Sequence, residues 1–507
     1  MVAQDLKREL QAGRIDLDRL LELLGSQQQQ LNAANDQLAK AHNKIAELEA
    51  KIAKLESKQP KLAEPFSVQS EEKRQAARGK KKFKKAKPAR RGRIATAEKI
   101  KLCTRTEKVF PAGIAESDCY LSHTRPVWRF IDGRAVRVAY QIYRGPKNQY
   151  GKIPGVLGRC EFGWEIMIAI AFLVYIVGLS FDKVCMLLGF FQNLPIKKSQ
   201  AEAIIKRLAK HWEGEFDILC TLLAHASVVH ADETSWSIKS VWVFLSEHSR
   251  VMLYGVNKDA ATLAKLLDPA VFAGIMISDD AAVYANFTHA QKCWAHLLRK
   301  AIKLTLLEPK NETYREFTDE LLEIYRAACR LQSDKRYSDE GRAAKIVELD
   351  DRIVDLCFGM CAAGLPKQEG PLDDYRLLCN ELMRLMLANE LFTFVTAPPV
   401  TKPNGETQAV AGTNNEAERT LRNPSGARDT GRENKEPPGT KRQSVTMTVL
   451  ESLRCYLSEF TLQKVIDETQ PWLDTGQSCF LKWLIKLGLA VPEESYLAKI
   501  FPEPTPQ

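Results

Sequence analysis

An α/β core interrupted by a helical stretch and preceded by a long helical arm is the fold class that this chain predicts. Three observations carry it. Short apolar runs at Ser227–Val229, Trp242–Leu245, Val251–Tyr254 and Ala273–Ser278 have the length and polar borders of strands. Residues from about 305 to 395 instead repeat apolar side chains at helical spacing, as at Phe317, Leu321 and Ile324 and again at Leu378, Leu382 and Leu385. At the N-terminal end, Leu17, Leu24, Leu31, Leu38, Ile45 and Ile52 recur every seven residues.

The arm has a second column three positions later, at Leu20, Ala34, Ala41, Leu48 and Leu55, broken by Gln27. A period this strict predicts a coiled-coil oligomerisation arm, because a lone amphipathic helix drifts off a seven-residue repeat. Gln59-Pro60 ends it. Next comes a basic block that includes Lys80, Lys81, Lys82, Lys84, Lys85, Arg90 and Arg91, with almost no acids between. Charge repulsion and the lack of apolar surface predict that this block does not fold alone. Its chemistry suits DNA phosphates, from which it would release counterions without reading sequence.

Bulk properties agree. The 507 residues exceed one core, and Lys plus Arg outnumber Asp plus Glu by 73 to 63, giving +10 and a lean toward a polyanionic partner. Twelve scattered cysteines without a C-x-x-C pair predict free thiols in a reducing cytoplasm. The first residues, Met1 to Asp5, lack a signal-peptide pattern. The apolar run from Ile166 to Phe181 is shorter than the roughly 20 residues that a bilayer requires, so a buried helix is expected and no membrane role.

Between arm and core lie Cys103, Cys119 and His123, then a strand pair around Val127–Ile131 and Val136–Tyr140. A structural zinc site needs four ligands in close pairs, and only Cys119 and His123 make one, which argues against zinc. Segments beginning at Ser180, Leu187 and Ser199 read as helix, Gly-containing turn, helix, the outline of a helix-turn-helix and equally of a plain helical hairpin.

The chemistry concentrates at carboxylates. Asp232 sits at the end of a buried run, and Asp279-Asp280 directly follow another. A carboxylate in a sheet is costly unless a cation meets it. A solvated acid at a strand end is the plain alternative for each one alone. A loop rich in Pro, Gly and Thr, Pro398 to Gly412, leads to a capped helix start at Asn414 with Glu416, Glu418, Arg419 and Arg422.

Four motifs in order now carry a resemblance: His-Ala-Asp-Glu-Thr-x-Trp around Asp232, Ser-Asp-x-x-x-x-Tyr around Asp279, Cys-Trp-Ala-His-Leu-x-Arg from Cys293 to Arg299, and Asn-Asn-x-Ala-Glu-Arg-x-Leu-Arg from Asn414 to Arg422. Together they resemble the insertion-sequence 66 family of bacterial transposases over roughly residues 160 to 460. The resemblance implies a ribonuclease-H-like core with a DDE metal site, formed by Asp232, Asp279 and Glu418 and split by the helical insertion. Such a site holds two Mg²⁺ or Mn²⁺ ions, and its hard oxygen donors argue against zinc there. It implies cleavage at element ends and transfer of the freed 3′-hydroxyl into target DNA. Arg299, Arg419 and Arg422 are then expected phosphate clamps, with Cys293, Trp294, His296 and Asn415 supporting the site.

Expected partners are DNA, further copies through the coiled coil and accessory proteins of the element, in a bacterial cytoplasm at the nucleoid. The implied organisation is a coiled-coil oligomerisation arm at 1–59, a basic disordered linker at 60–101, a degenerate zinc-finger-like segment at 102–160 and a helical region at 161–222 with a helix-turn-helix outline for DNA binding. The core follows at 223–304 and 413–460, with the insertion and its loop at 305–412 between and a helical tail at 461–507.

The chain departs from the family pattern in three places. Only Cys103, Cys119 and His123 remain where the family has zinc-finger cysteine pairs. Asp280 stands where its members usually have Gly, and is read as a neighbour and not a ligand. Arg428, Arg432, Lys435, Lys441 and Arg442 form a basic, Pro-Gly-broken loop in place of a compact Arg-Lys-Asn stretch. An inactive copy, an oligomeric DNA-binding regulator and a nuclease without strand transfer stay open at this level.

Overall fold

The computed structural model describes residues 12–13, 17–56, 94–360, 370–430 and 434–502. The chain divides into two units, Met1–Arg93 and Ile94–Gln507. In the first, helix α1 (Leu17–Glu56) runs unbroken for 40 residues, about 60 Å at helical rise. The seam residues Leu31 and Leu38 are more than half exposed along it. Lys80, Lys81, Lys82, Lys84, Lys85, Arg90 and Arg91 of the basic block lie outside the described residues, as do Gln59 and Pro60.

The second unit opens with a three-stranded sheet, β1 (Arg105–Val109), β2 (Tyr120–Ile131) and β3 (Arg134–Arg144), in the order β1-β3-β2. Asp132 and Gly133, both at positive φ, close the β2–β3 hairpin in two residues, the turn chemistry that matches strand twist. Cys119 precedes β2, His123 lies at an irregularity within it, and Cys103 comes before β1. Among the described residues these three form no metal-binding group.

Arg129 of β2 pairs with buried Glu165 at 2.7 Å and so docks helix α2 (Trp164–Ala171), all eight residues of which are buried. The apolar run expected as one helix from Ile166 to Phe181 is cut short. After α2 the backbone widens into a π turn over Phe172–Ile176, and Gly178 takes a positive φ. Among the described residues no helix is long and apolar enough to cross a membrane.

Helices α3 (Phe181–Gln192), α4 (Lys198–His211) and α5 (Glu213–Ala224) follow. Here a second expectation is corrected. Gly189 lies inside α3, and the turn is made by Asn193, left-handed at φ 54, followed by Leu194-Pro195. Asn tolerates that conformation, and Pro resists continuing a helix.

The central sheet holds β4 (Val228–Ser235), β5 (Ser240–Leu245), β6 (Arg250–Val256), β7 (Ile275–Ser278) and β8 (Ala290–Lys292), in the order β6-β5-β4-β7-β8. The first three pair antiparallel, while β7 and β8 continue parallel to β4. β5 is buried along its whole length, which is why its sequence reads as a continuous apolar run.

Both edges of this sheet are covered, by different means. Along β6 lies helix α11 (Pro437–Tyr456), whose Ser444, Thr448 and Ser452 accept the backbone N–H groups of Tyr254, Met252 and Arg250 at 2.9, 3.0 and 2.9 Å. Every second strand residue meets every fourth helix residue because about 6.8 Å of strand nearly matches about 6 Å of helix. At the other edge, Lys292 N–H donates to Glu390 at 2.8 Å and Gln291 Nε2 to Leu391 at 2.9 Å. Unpaired edge groups are thereby satisfied on both sides.

Between β8 and the last part of the core stand α6 (Trp294–Leu307), α7 (Glu312–Ser333), α8 (Asp339–Cys357) and α9 (Pro371–Leu387). They build a core of their own around Leu297, Phe317, Leu321, Ile353, Leu378 and Leu382. The expected loop from Pro398 to Gly412 contains a small two-stranded ladder, Val400–Thr401 against Thr407–Gln408. Helix α10 (Asn415–Asp429) then returns to the central sheet.

The basic segment after Arg422 is also corrected. Arg428 is in the last turn of α10, and Lys441 and Arg442 are in α11, which Pro437 and Pro438 initiate at its first two positions. Arg432 lies outside the described residues. Beyond α11 the tail folds back, with Thr469 of the helix Leu462–Thr469 accepting the indole N–H of Trp164 at 2.7 Å.

Candidate active site

Register brings the two aspartates together. His230 of β4 is the parallel partner of Ile277 of β7. Two residues further along stand Asp232, which the structure places inside β4 and not at its end, and Asp279, just past the end of β7, so that the two lie side by side on adjacent strands. Asp279 has already left β7, and its Oδ1 accepts the Ala281 N–H at 3.1 Å, which sets the turn after the strand.

Glu418 arrives from the far side of the insertion. Asn414 was expected to cap α10, yet its side chain donates to the Ala231 carbonyl at 2.7 Å, and its N–H donates to Cys293 Sγ at 3.1 Å. Fully buried, Asn414 thus clamps the start of α10 to β4 and to the strand-helix junction after β8. One helical turn on, Glu418 stands within electrostatic reach of Asp232.

The electrostatics record this convergence. Asp232 is mostly buried, and its carboxyl is pushed up to about 7, first by burial and then by the negative charges of Glu233, Asp279 and Glu418, against a lowering hydrogen bond from the Glu233 N–H. That bond measures 2.9 Å. An arrangement of three carboxylates of this kind fits hard divalent cations.

Glu233, expected to leave the strand on the opposite side from Asp232, is 9% exposed. Tyr284 donates its hydroxyl to Glu233, and Lys258 pairs with it at 2.7 Å. Since Tyr284 lies on the short 3₁₀ turn after Asp279, Glu233 ties that turn to β4. Asp279 and Asp232 also act on Lys258, raising its ammonium together with the larger effect of the Glu233 hydrogen bond.

The remaining expected residues are spread around this centre. Arg299 donates to both Glu418 oxygens at 2.7 and 2.8 Å, and His296 Nδ1 lies 3.6 Å from Glu418. Cys293 is buried, and burial pushes its thiol up. Trp294 is wholly buried, donates to the Leu391 carbonyl at 2.7 Å and stacks on Tyr325, so it anchors the insertion. Asn415 and exposed Arg419 line a separate cavity of about 470 Å³ with His230, Arg250 and Glu416. Arg422 is exposed on α10. Asp280 pairs with Arg384 of α9.

A second cavity of about 690 Å³ separates the carboxylate end of the sheet from the insertion, with Asp279, Lys292, Cys293 and His296 on one side and Glu381, Arg384 and Leu385 on the other. Lys292 is 3% exposed and was not singled out in the sequence, although a lysine inside the short run Ala290–Cys293 is a usable signal. Lys258 follows a strand with no motif of its own and carried no such signal. Arg428, read as part of a loop, donates to Ser235 Oγ at 2.8 Å and to Thr234 Oγ1 at 3.2 Å, pinning the end of α10 to the end of β4.

Residues 159–430, more than half of the chain, match the model of the transposase IS66 family. The chain belongs to that family. Membership makes it a nucleic-acid-processing enzyme of transposition that binds DNA, in a class that generally uses divalent metals. The match begins just before α2 and closes at the end of α10, so it contains Asp232, Asp279 and Glu418 together with the helical insertion. The chain has no match among curated proteins.

Proposed function

We propose that this transposase cleaves the ends of its insertion sequence and transfers the resulting 3′-hydroxyl to target DNA at a DDE site of Asp232, Asp279 and Glu418. One observation carries the reading: in a mixed sheet, Asp232 lies within reach of the charges of Asp279 and Glu418, which come from two other, distant stretches of chain. The strand order β6-β5-β4-β7-β8, with an antiparallel meander continued by two parallel strands, supports a ribonuclease-H-like core.

Asp232, Asp279 and Glu418 would hold two divalent ions, Mg²⁺ or Mn²⁺. When bound, such ions supply charge at both the attacking and the leaving oxygen of phosphodiester displacement. The protein's own groups do the rest. Glu233, Tyr284 and Lys258 hold the Asp279 turn against β4. Asn414 and Arg428 fix α10 at its two ends. Lys292 and Arg384 line the cavity that adjoins Asp279, where a phosphate would meet positive charge. No Ser or Tyr nucleophile is required, because water and then a DNA hydroxyl attack.

The 40-residue helix α1 is read as one strand of a coiled coil, for which its exposed seam residues Leu31 and Leu38 are the support. The basic block at 60–101 would add salt-sensitive affinity for DNA, and α3 with α4 would form the helical DNA-binding region. This reading puts the protein in a bacterial cytoplasm, at the nucleoid, with accessory proteins of the element as partners.

The deciding experiment compares the full chain with Asp232→Asn on labelled element-end DNA in Mg²⁺. Cleaved and joined products that vanish in the variant, with DNA binding kept, support the proposal. Cleavage without joining would point to a nuclease. Binding without cleavage, even in Mn²⁺, would point to an inactive copy or a DNA-binding regulator.

A further inference from the structure

Beside the three carboxylates lies a group of different chemistry. Cys293 Sγ, a ring nitrogen of His296 and a carboxylate oxygen of Glu418 all lie within 4.8 Å of one another. Cys293 immediately precedes α6, His296 lies in its first turn, and Glu418 comes from α10. Ligands of one tetrahedral zinc ion stand roughly 3.5 Å apart, given bonds of about 2.0 to 2.3 Å, so a shift of about an ångström would complete the set.

Two features beyond proximity point to a metal. Nδ1 of His296 is buried and makes no hydrogen bond, although Glu418 Oε1 lies 3.6 Å away. Backbone N–H groups, that of Asn414 at 3.1 Å among them, are directed at Cys293 Sγ. Amides directed at sulfur stabilise a thiolate and commonly support metal ligands from behind.

The donor set is also informative. Sulfur, imidazole and one carboxylate suit a borderline or soft divalent ion such as Zn²⁺, whereas carboxylates alone suit Mg²⁺. We propose that Cys293, His296 and Glu418 form a second metal site, selective for Zn²⁺-like ions, which draws Glu418 away from Asp232 and Asp279 when it fills. Binding at this site stands on its own. The consequence, inhibition of Mg²⁺-dependent chemistry by zinc, rests on the reading of Glu418 given above. Arg299 is the built-in competitor, since it donates to both oxygens of Glu418. It is half-exposed, so solvent can receive it when it leaves Glu418.

Co²⁺ is the probe, added to the reduced full chain. A thiolate-to-cobalt charge-transfer band with intense tetrahedral d–d absorption, displaced by Zn²⁺, is expected. Cys293→Ser should remove the charge-transfer band, and His296→Gln, at a half-exposed position, should weaken binding at least about tenfold. Arg299→Gln should tighten binding by freeing Glu418. Asp232→Asn should leave the thiolate charge-transfer band unchanged, which separates this site from the carboxylate site. A wild-type chain without the band, or a band that survives Cys293→Ser, overturns the proposal. If the cobalt results hold but zinc does not inhibit cleavage, the second site stands and the assigned role of Glu418 fails.

Discussion

The strand side and the helix side of the carboxylate site carry the same kind of group in opposite surroundings. On the strand side, Asp232 is mostly buried, faces further acids and has its carboxyl pushed up to about 7. On the helix side, Glu418 is matched by Arg299, with His296 nearby. A strand buries its side chain against sheet neighbours. A helix one layer out leaves room for long cationic side chains to approach. The strand side therefore crowds negative charge around a mostly buried carboxyl, with Lys258 paired to Glu233 and not to Asp232, and a divalent cation relieves it, while the helix side neutralises itself and must give up its partner to join.

The largest expected effect follows from the strand side. Asp232→Asn or Asp279→Asn should lower strand cleavage by roughly 10³-fold or more, about 4 kcal/mol of transition-state stabilisation, with DNA binding retained. Gel-resolved cleavage alongside a mobility-shift assay checks this, and a variant within tenfold of wild type would remove these residues from the site.

Next comes the brace behind Asp232. Tyr284→Phe and Glu233→Gln should each weaken Mn²⁺ binding by about 10- to 100-fold, because the turn bearing Asp279 loses its tie to β4. Metal titration followed by electron paramagnetic resonance reads this directly. Unchanged affinity would mean that the turn is held by packing alone.

The third prediction concerns pH in metal-free protein. Asp232 has a folded pKa of about 7, above the 3.8 of an ordinary Asp side chain. Between those values the unfolded chain has lost a proton that the folded chain keeps, so stability falls as pH rises, by up to about 1.4 kcal/mol per unit. Below the lower value the two states match, and above the higher the full cost is present. Urea unfolding in chelator at pH 5 and pH 8 should show this loss, and Asp232→Asn should flatten it. A wild-type slope of opposite sign would contradict the assignment.

The smallest effect belongs to the neutralised side. The Arg299–Glu418 pair is half-exposed at its arginine, so Arg299→Ala should change stability by no more than about 1 kcal/mol. If Arg299 also meets a phosphate in the complex, the slope of DNA affinity against salt should fall by about one. An unchanged slope would leave it as a partner of Glu418 only.

Legibility in the sequence followed the range of the interactions involved. Strands β4, β5, β6 and β7, the junction from Lys292 to Trp294 and the helical insertion were readable because local period and polar borders specify them. Three local readings failed where a distant contact or a backbone special decided. The turn before α4 formed at Asn193 and not at Gly189. Asn414 reached across to Ala231 in preference to capping its own helix. Arg428 and Arg442 entered helices because α10 and α11 pack on the sheet, overriding the Pro and Gly that suggested a loop. The row Ser444, Thr448 and Ser452 has a clear four-residue period, but only the edge of β6 gives those hydroxyls a purpose.

The sequence by itself determined which groups are present and on which kind of element. Asp232 had to fall on or beside a strand, Asp279 just past one and Glu418 on the first turn of a helix, because apolar runs and turn signals place them there. Which groups meet was decided only by tertiary structure. Register between β4 and β7 aligned the two aspartates, Asn414 drew α10 to the sheet across the insertion, and the same fold set Cys293 and His296 beside Glu418. The physical reason is distance along the chain. Local period is written in neighbouring residues, whereas a carboxylate's charge environment is set by groups up to 186 positions away, the separation of Asp232 and Glu418.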